Sequence, residues 1–175
     1  CDVRLMKYHL FYDHAWHIDL HDLEAKITPR TRAIVLVHPN NPTGSYVAER
    51  EALNELCGRR NLALLVDEVF LEFPLEEDAA RSFAGNSPAL TFTMNGLSKM
   101  AGLPQMKAAW TVVSGAAAQR DEAVRRVEFI NDTFLSASTP VQLALSQLLE
   151  TRQRFQQQVR ERSKHNLSQI DALLA

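Results

Sequence analysis

A chain of 175 residues with 46% apolar and 23% charged side chains can bury a core, so disorder is excluded, and its length suits one domain or a large piece of one. Its 19 Lys and Arg against 21 Asp and Glu leave a net charge of −2, with no basic excess to neutralise a nucleic-acid backbone. The longest apolar runs are too short to span a bilayer, and two cysteines, Cys1 and Cys57, give no disulfide framework and fit a reducing, cytoplasmic compartment.

In chain order, Leu5 to Phe11 is the first β-rich run. Trp16 to Leu20 reads as a loop entering a short amphipathic helix, Leu20 to Ile27, which Thr28-Pro29 stops. A continuously apolar run, Ala33 to Val37, follows. The next helical pattern, Val47 to Arg59, has Val47, Leu53, Leu56 and Cys57 on its apolar side and is closed by Gly58 and Asn61. Three further β-rich runs are Leu62 to Val66, Ala89 to Met94 and Ala108 to Val113. Continuous rather than alternating apolar runs mark strands buried on both faces, and their alternation with helices predicts an α/β fold with a parallel sheet. After Gly115 the strands cease, and Ala116 to Ile130, Pro140 to Glu150 and Arg152 to Leu174 read as helices, the last largely solvated. The first residue is Cys rather than Met, and the last helical pattern runs to the end of the sequence. We expect a piece of a longer protein.

Ligands of open parallel sheets bind beyond the carboxyl ends of the strands, which makes the residues just after each strand the ones to read. After Val37 comes His38-Pro39-Asn40-Asn41-Pro42-Thr43-Gly44; after Val66, Asp67-Glu68-Val69-Phe70; after Met94, Asn95-Gly96-Leu97-Ser98-Lys99. Taken singly, these read as a turn, a helix cap and a solvated lysine. Together they bring an amide, a carboxylate and an amine to one sheet edge.

Those three segments, with Met100-Ala101-Gly102-Leu103-Pro104 after the lysine, resemble the pyridoxal-phosphate-dependent aminotransferases of class I/II, the aspartate aminotransferase fold type, in the same order and at suitable spacings. The resemblance implies a three-layer α/β sandwich with a mostly parallel sheet, followed by helices. Residues 1–150 would form part of the cofactor-binding large domain, and 151–175 a long helix leading towards a small domain. It implies pyridoxal 5'-phosphate as cofactor, an amino acid and a 2-oxo acid as substrates, a homodimer, and no metal, nucleic-acid or membrane partner. Lys99 takes the place of the amine that bonds the cofactor aldehyde and then serves as base. Asp67 takes that of the carboxylate keeping the pyridine nitrogen protonated. Asn41 would donate to the ring oxygen, with Ser98 and Lys107 on the phosphate.

Three positions depart from the family pattern. Phe70 stands where a tyrosine usually donates to the ring oxygen, leaving Asn41 to act alone. Lys107 replaces an arginine and supplies charge without a bidentate fork. Gly96 replaces a frequent serine and removes one phosphate hydrogen bond. Two other readings therefore stand beside the transaminase: a lyase or decarboxylase of the same fold, and a catalytically degenerate chain acting by interaction.

Other features read as structural. His14, His17 and His21, with Asp13, Asp19 and Asp22 between them, lack an H-E-x-x-H arrangement and form a connection rather than a zinc site. Cys57 reads as a small buried hydrophobe. Arg120, Arg125 and Arg126, interleaved with Asp121, Glu122 and Glu128, read as a solvated helix face.

Overall fold

The computed structural model describes residues 3–76, 81–134 and 136–174. A short antiparallel hairpin, β1 (Leu10–Tyr12) and β2 (Trp16–Ile18), leads into α1 (Leu20–Lys26). Then come β3 (Ala33–Val37), α2 (Arg50–Arg60), β4 (Ala63–Asp67) and β5 (Thr91–Gly96), which runs directly into α3 (Leu97–Met100). A single 3-10 turn, Pro104–Met106, precedes β6 (Ala109–Ser114), and α4 (Ala117–Phe134), α5 (Thr139–Glu150) and α6 (Arg152–Leu174) complete the order. The main sheet has the order β3-β4-β5-β6, its first three strands parallel and β6 antiparallel. This is the α/β fold with a mostly parallel sheet followed by helices that the sequence predicts.

Two expectations at the start of the chain are corrected. Of the run from Leu5 to Phe11 only the end is a strand, Leu10–Tyr12, and it pairs with Trp16–Ile18, which reads in the sequence as a loop. Val3 and Leu5 are mostly exposed and have no strand beside them, so apolar character there does not produce pairing. The turn between the two strands closes through the Asp13 N–H on the Ala15 carbonyl (2.8 Å), with His14 in the left-handed region at φ 54°. Helix α2 starts at Arg50 rather than Val47, and the Val47 N–H donates instead to the His38 ring. Cys1 lies outside the described residues.

The core lies between α1, α2 and one face of the sheet. Leu53, Leu56 and Cys57 of α2 pack with Ile34 and Leu36 of β3 and Leu64 and Val66 of β4, all at most 3% exposed. Each such leucine contributes about 2 kcal/mol of burial. Burial pushes the Cys57 thiol up to about 11, so it behaves as a hydrophobe and not as a nucleophile. On the opposite face Leu65, Phe92 and Met94 are half-buried and Val35 is exposed. Asp19 caps α1 by accepting from the Asp22 N–H at 2.9 Å, and Asn61 ends α2 in the left-handed conformation at φ 52°.

Helix α6 is not wholly solvated. Phe155 packs edge-on against Phe73 at 6.2 Å, and Gln156, buried, donates to the Met100 carbonyl at 2.9 Å. Gly102 has φ +67°, and a Cβ there would lie 2.7 Å from the Phe155 ring. The segment after α3 therefore needs glycine for its backbone and for its contact with α6. Among the described residues, no helix is long and apolar enough to cross a membrane.

Candidate active site

Strand register brings the candidate groups to one edge. Asp67, the last residue of β4, pairs with Val37 at the end of β3 and with Met94 near the end of β5. The His38 N–H extends the ladder by donating to the Asp67 carbonyl at 2.8 Å. Lys99 follows β5 in α3. Because β6 runs antiparallel, with Ala109 opposite Gly96, its start and the preceding Lys107 return to this same carboxyl edge.

Each side chain has a distinct environment. Asp67 is half-buried, and its Oδ1 accepts from the Val69 N–H at 3.1 Å. Ser98 is half-buried in α3, whereas Lys99 is exposed. Lys107 is exposed too, with φ 52° after the 3-10 turn. Among the described residues, no carboxylate forms an ion pair with Lys99 or Lys107. Asn41 and Phe70 line a cavity of about 450 Å³ together with Tyr46, Phe73 and Leu75. Asp67, Ser98, Lys99 and Lys107 are not among its lining residues, so the cavity flanks the row of strand ends on the Asn41 side.

The loop carrying Asn41 is closed upon itself. Asn40 N–H donates to the Ser45 carbonyl and Gly44 N–H to the Asn40 carbonyl, both at 2.8 Å. Thr43 Oγ1 donates to Asn40 Oδ1 at 2.9 Å. The His38–Pro39 and Asn41–Pro42 peptide bonds are cis.

Beneath this row lies a set of buried polar residues that reading the sequence did not single out. Glu68, 2% exposed, accepts from Ser82 Oγ and the Phe83 N–H, both at 2.6 Å. Burial pushes its carboxyl above the usual range, while those two donors and Arg50 oppose the shift. Asn95 Nδ2 donates to the Glu68 carbonyl at 3.0 Å, and its Oδ1 accepts from the Gly96 N–H at 2.7 Å. One amide thus ties the end of β5 to the residue after Asp67. The sequence signal for both was position alone, a polar residue at the end of an apolar strand. Gly96 also acquires a reason: a Cβ there would lie 2.9 Å from the Ala108 carbonyl oxygen. A serine at this position would force the start of β6 to shift.

The histidines near the start of the chain are accounted for without metal. His17 Nδ1 meets Glu49 Oε1 at 3.0 Å and its ring stacks on Phe11, while His14 and His21 are exposed. Among the described residues, no three His, Cys, Asp or Glu side chains converge to hold a metal ion. On α4, Glu122 bridges Arg125 and Arg126 at 2.6 and 2.7 Å on an exposed face.

Comparison with known proteins places the chain by its family and its fold. The family model for aminotransferase class I and II matches residues 1–175. The glutamate-pyruvate aminotransferase AlaA of Escherichia coli K12 is 34% identical over 137 residues, covering 77% of this chain and 34% of that protein. An alanine aminotransferase of Mycobacterium tuberculosis is 32% identical over 133 residues, covering 74% of this chain and 31% of that one. The solved N-succinyldiaminopimelate aminotransferase of Mycobacterium tuberculosis superposes with a TM-score of 0.74 at 25% identity, covering 93% of this chain and 42% of that one. The chain spans about a third of the length of the curated relatives it matches.

Proposed function

The chain belongs to the class I and II aminotransferases, and on that premise we propose that it forms the central part of a pyridoxal-phosphate-dependent transaminase moving an amino group between an amino acid and a 2-oxo acid. Residues 1–150 belong to its cofactor-binding large domain, and 151–175 form the helix leading towards a small domain. The enzyme acts as a cytoplasmic homodimer, a reading supported by the family and, for the compartment, by the cysteine usage. The relatives named for glutamate, pyruvate and alanine make those the first substrates to test. A lyase or decarboxylase would use the same residues but has no counterpart among these relatives.

The observation that carries this reading is the common edge: Asp67 in register with Val37 and Met94, Lys99 just past β5, and Lys107 returned by β6. The donor set there suits an aromatic aldehyde bearing a phosphate. An amine, a carboxylate, a neutral amide, a hydroxyl and a second ammonium group match its aldehyde, ring nitrogen, ring oxygen and phosphate. When bound, pyridoxal 5'-phosphate supplies an electron sink for charge developing at the substrate Cα.

Lys99 Nζ would hold the cofactor aldehyde and, when free, would serve as the base for the proton on the substrate Cα. Asp67, its carboxylate oriented by the bond from Val69, would face the ring nitrogen and keep it protonated. Asn41 Nδ2 would donate to the ring oxygen, and Phe70, which lines the same cavity, offers no donor. Ser98 Oγ and Lys107 Nζ would hold the phosphate, Lys107 as a point charge.

The test is chemical trapping. The intact protein given pyridoxal phosphate turns yellow, and borohydride leaves a mass adduct on the peptide containing Lys99. Lys99→Ala abolishes the adduct, leaves the circular dichroism unchanged and lowers turnover by at least about a thousandfold. No adduct, or one on a different lysine, overturns the assignment.

A further inference from the structure

The loop bearing Asn41 leaves the sheet at His38 and returns at Val47, and a single side chain closes its neck. His38 is 2% exposed. Its Nδ1 accepts the Val47 N–H at 3.1 Å, and its Nε2–H donates to the Arg81 carbonyl at 3.2 Å. A carbonyl can only accept and a backbone N–H can only donate, so the two bonds together require a neutral imidazole protonated on Nε2. Tyr46 and Phe83 flank the ring edge-on at 5.4 and 5.2 Å.

The segment that His38 grips is itself fixed from two other elements. Arg50, at the start of α2, donates to the carbonyls of Arg81 and Ser82 and lies 3.8 Å over the Phe83 ring. Glu68, after β4, holds Ser82 and Phe83. Among the described residues, the titratable groups around His38 are therefore Arg50, Glu68, Arg81 and Tyr46.

We propose that His38 is a positioning residue for Asn41, its neutral imidazole tying both ends of the loop together and anchoring them to the Arg81–Phe83 segment. The inference rests on the reading of Asn41 as the amide that donates to the cofactor ring oxygen. Protonated at Nδ1, the imidazole would present a donor to the Val47 N–H and open the neck. Burial is the main reason the imidazole is held down at about 4. A depressed value means that the stabilisation is complete above the free-histidine range near 6.5 and is lost as pH falls through about 4.

Two readouts in the intact protein test this: the hydrogen-exchange protection factor of the Val47 amide, measured without cofactor, and the pH midpoint of the visible absorbance of bound pyridoxal phosphate. His38→Ala lowers Val47 protection about tenfold and raises the midpoint, because the Asn41 donor drifts from the ring oxygen. His38→Asn places an oxygen near the Nδ1 position and restores both values. Overall destabilisation alone would not move the midpoint of the bound form. Wild-type Val47 protection in His38→Ala, or protection lost with the midpoint unmoved, overturns the proposal. Should His38→Ala not fold, the wild-type protein decides: Val47 protection falls as pH drops from 6 towards 4 if the neck depends on neutral His38, and stays flat if it does not. A wild-type protein that binds no pyridoxal phosphate defeats the functional reading, while the Val47 measurement still judges His38 as the tie of the loop.

Discussion

At the carboxyl edge of the sheet, two sets of polar residues lie close together in the chain and live in opposite conditions. His38, Glu68 and Asn95 are 2, 2 and 8% exposed, and each has more than one hydrogen-bond partner. Asn41, Lys99 and Lys107 are exposed, and Asp67 is half-buried with one bond from its own loop. The contrast shows how a site can be both reactive and placed. The groups proposed to react keep free lone pairs and protons, while buried neighbours in sequence hold their backbones. A buried polar group left without its partner costs about 1–3 kcal/mol, so the lower set cannot drift without destabilising the fold.

Among variants that keep Lys99, the largest expected effect separates the two sets. Asp67→Asn keeps an oxygen to accept from Val69, so thermal stability should be unchanged, while kcat/KM for alanine with a 2-oxo acid falls about a hundred- to thousandfold. Glu68→Gln does the reverse. The neutral amide loses the charge-assisted bonds from Ser82 and Phe83 and the attraction of Arg50, and urea denaturation should report a loss of about 1–3 kcal/mol, with the Lys99 adduct still formed. If Asp67→Asn unfolds the protein, or Glu68→Gln leaves stability intact, the division between the sets is wrong.

The upper set was legible in the sequence because its residues follow continuous apolar runs and share a family pattern, and β3 falls at Ala33–Val37 as predicted. The lower set was not legible. The partners of His38 and Glu68 lie around Arg81 and Phe83, far along the chain, and no local spacing announces them. The β2 strand escaped for a related reason: Trp16–Ile18 is a strand only because Leu10–Tyr12 pairs with it. Helix α6 read as solvated because its polar composition hides the two residues that matter, Phe155 and Gln156.

Those two residues supply an intermediate effect. Gly102→Ala places a methyl group 2.7 Å from the Phe155 ring at φ +67°, combining left-handed strain with overpacking. A destabilisation of about 2–3 kcal/mol is expected in urea denaturation, with turnover reduced less than in Asp67→Asn. Phe155→Ala in the same background should recover part of the loss by opening the space. Wild-type stability for Gly102→Ala would mean that α6 does not brace the segment after Lys99.

The smallest effect is the sharpest probe of the upper set. Phe70 is 36% exposed and lines the cavity beside Asn41, so Phe70→Tyr should change stability by no more than about 0.5 kcal/mol. Its hydroxyl adds a second donor towards the cofactor ring oxygen and so favours the form in which that oxygen is negative. The pH midpoint of the bound cofactor's absorbance should fall by up to about one unit, since one hydrogen bond to a charged group is worth about 1.5 kcal/mol. This shift is opposite in sign to that expected for His38→Ala, and the double variant should return towards the wild-type midpoint. An unmoved midpoint in Phe70→Tyr would take residue 70 out of the reactive set, leaving Asn41 as the donor on that side and the aromatic ring as a wall of the cavity.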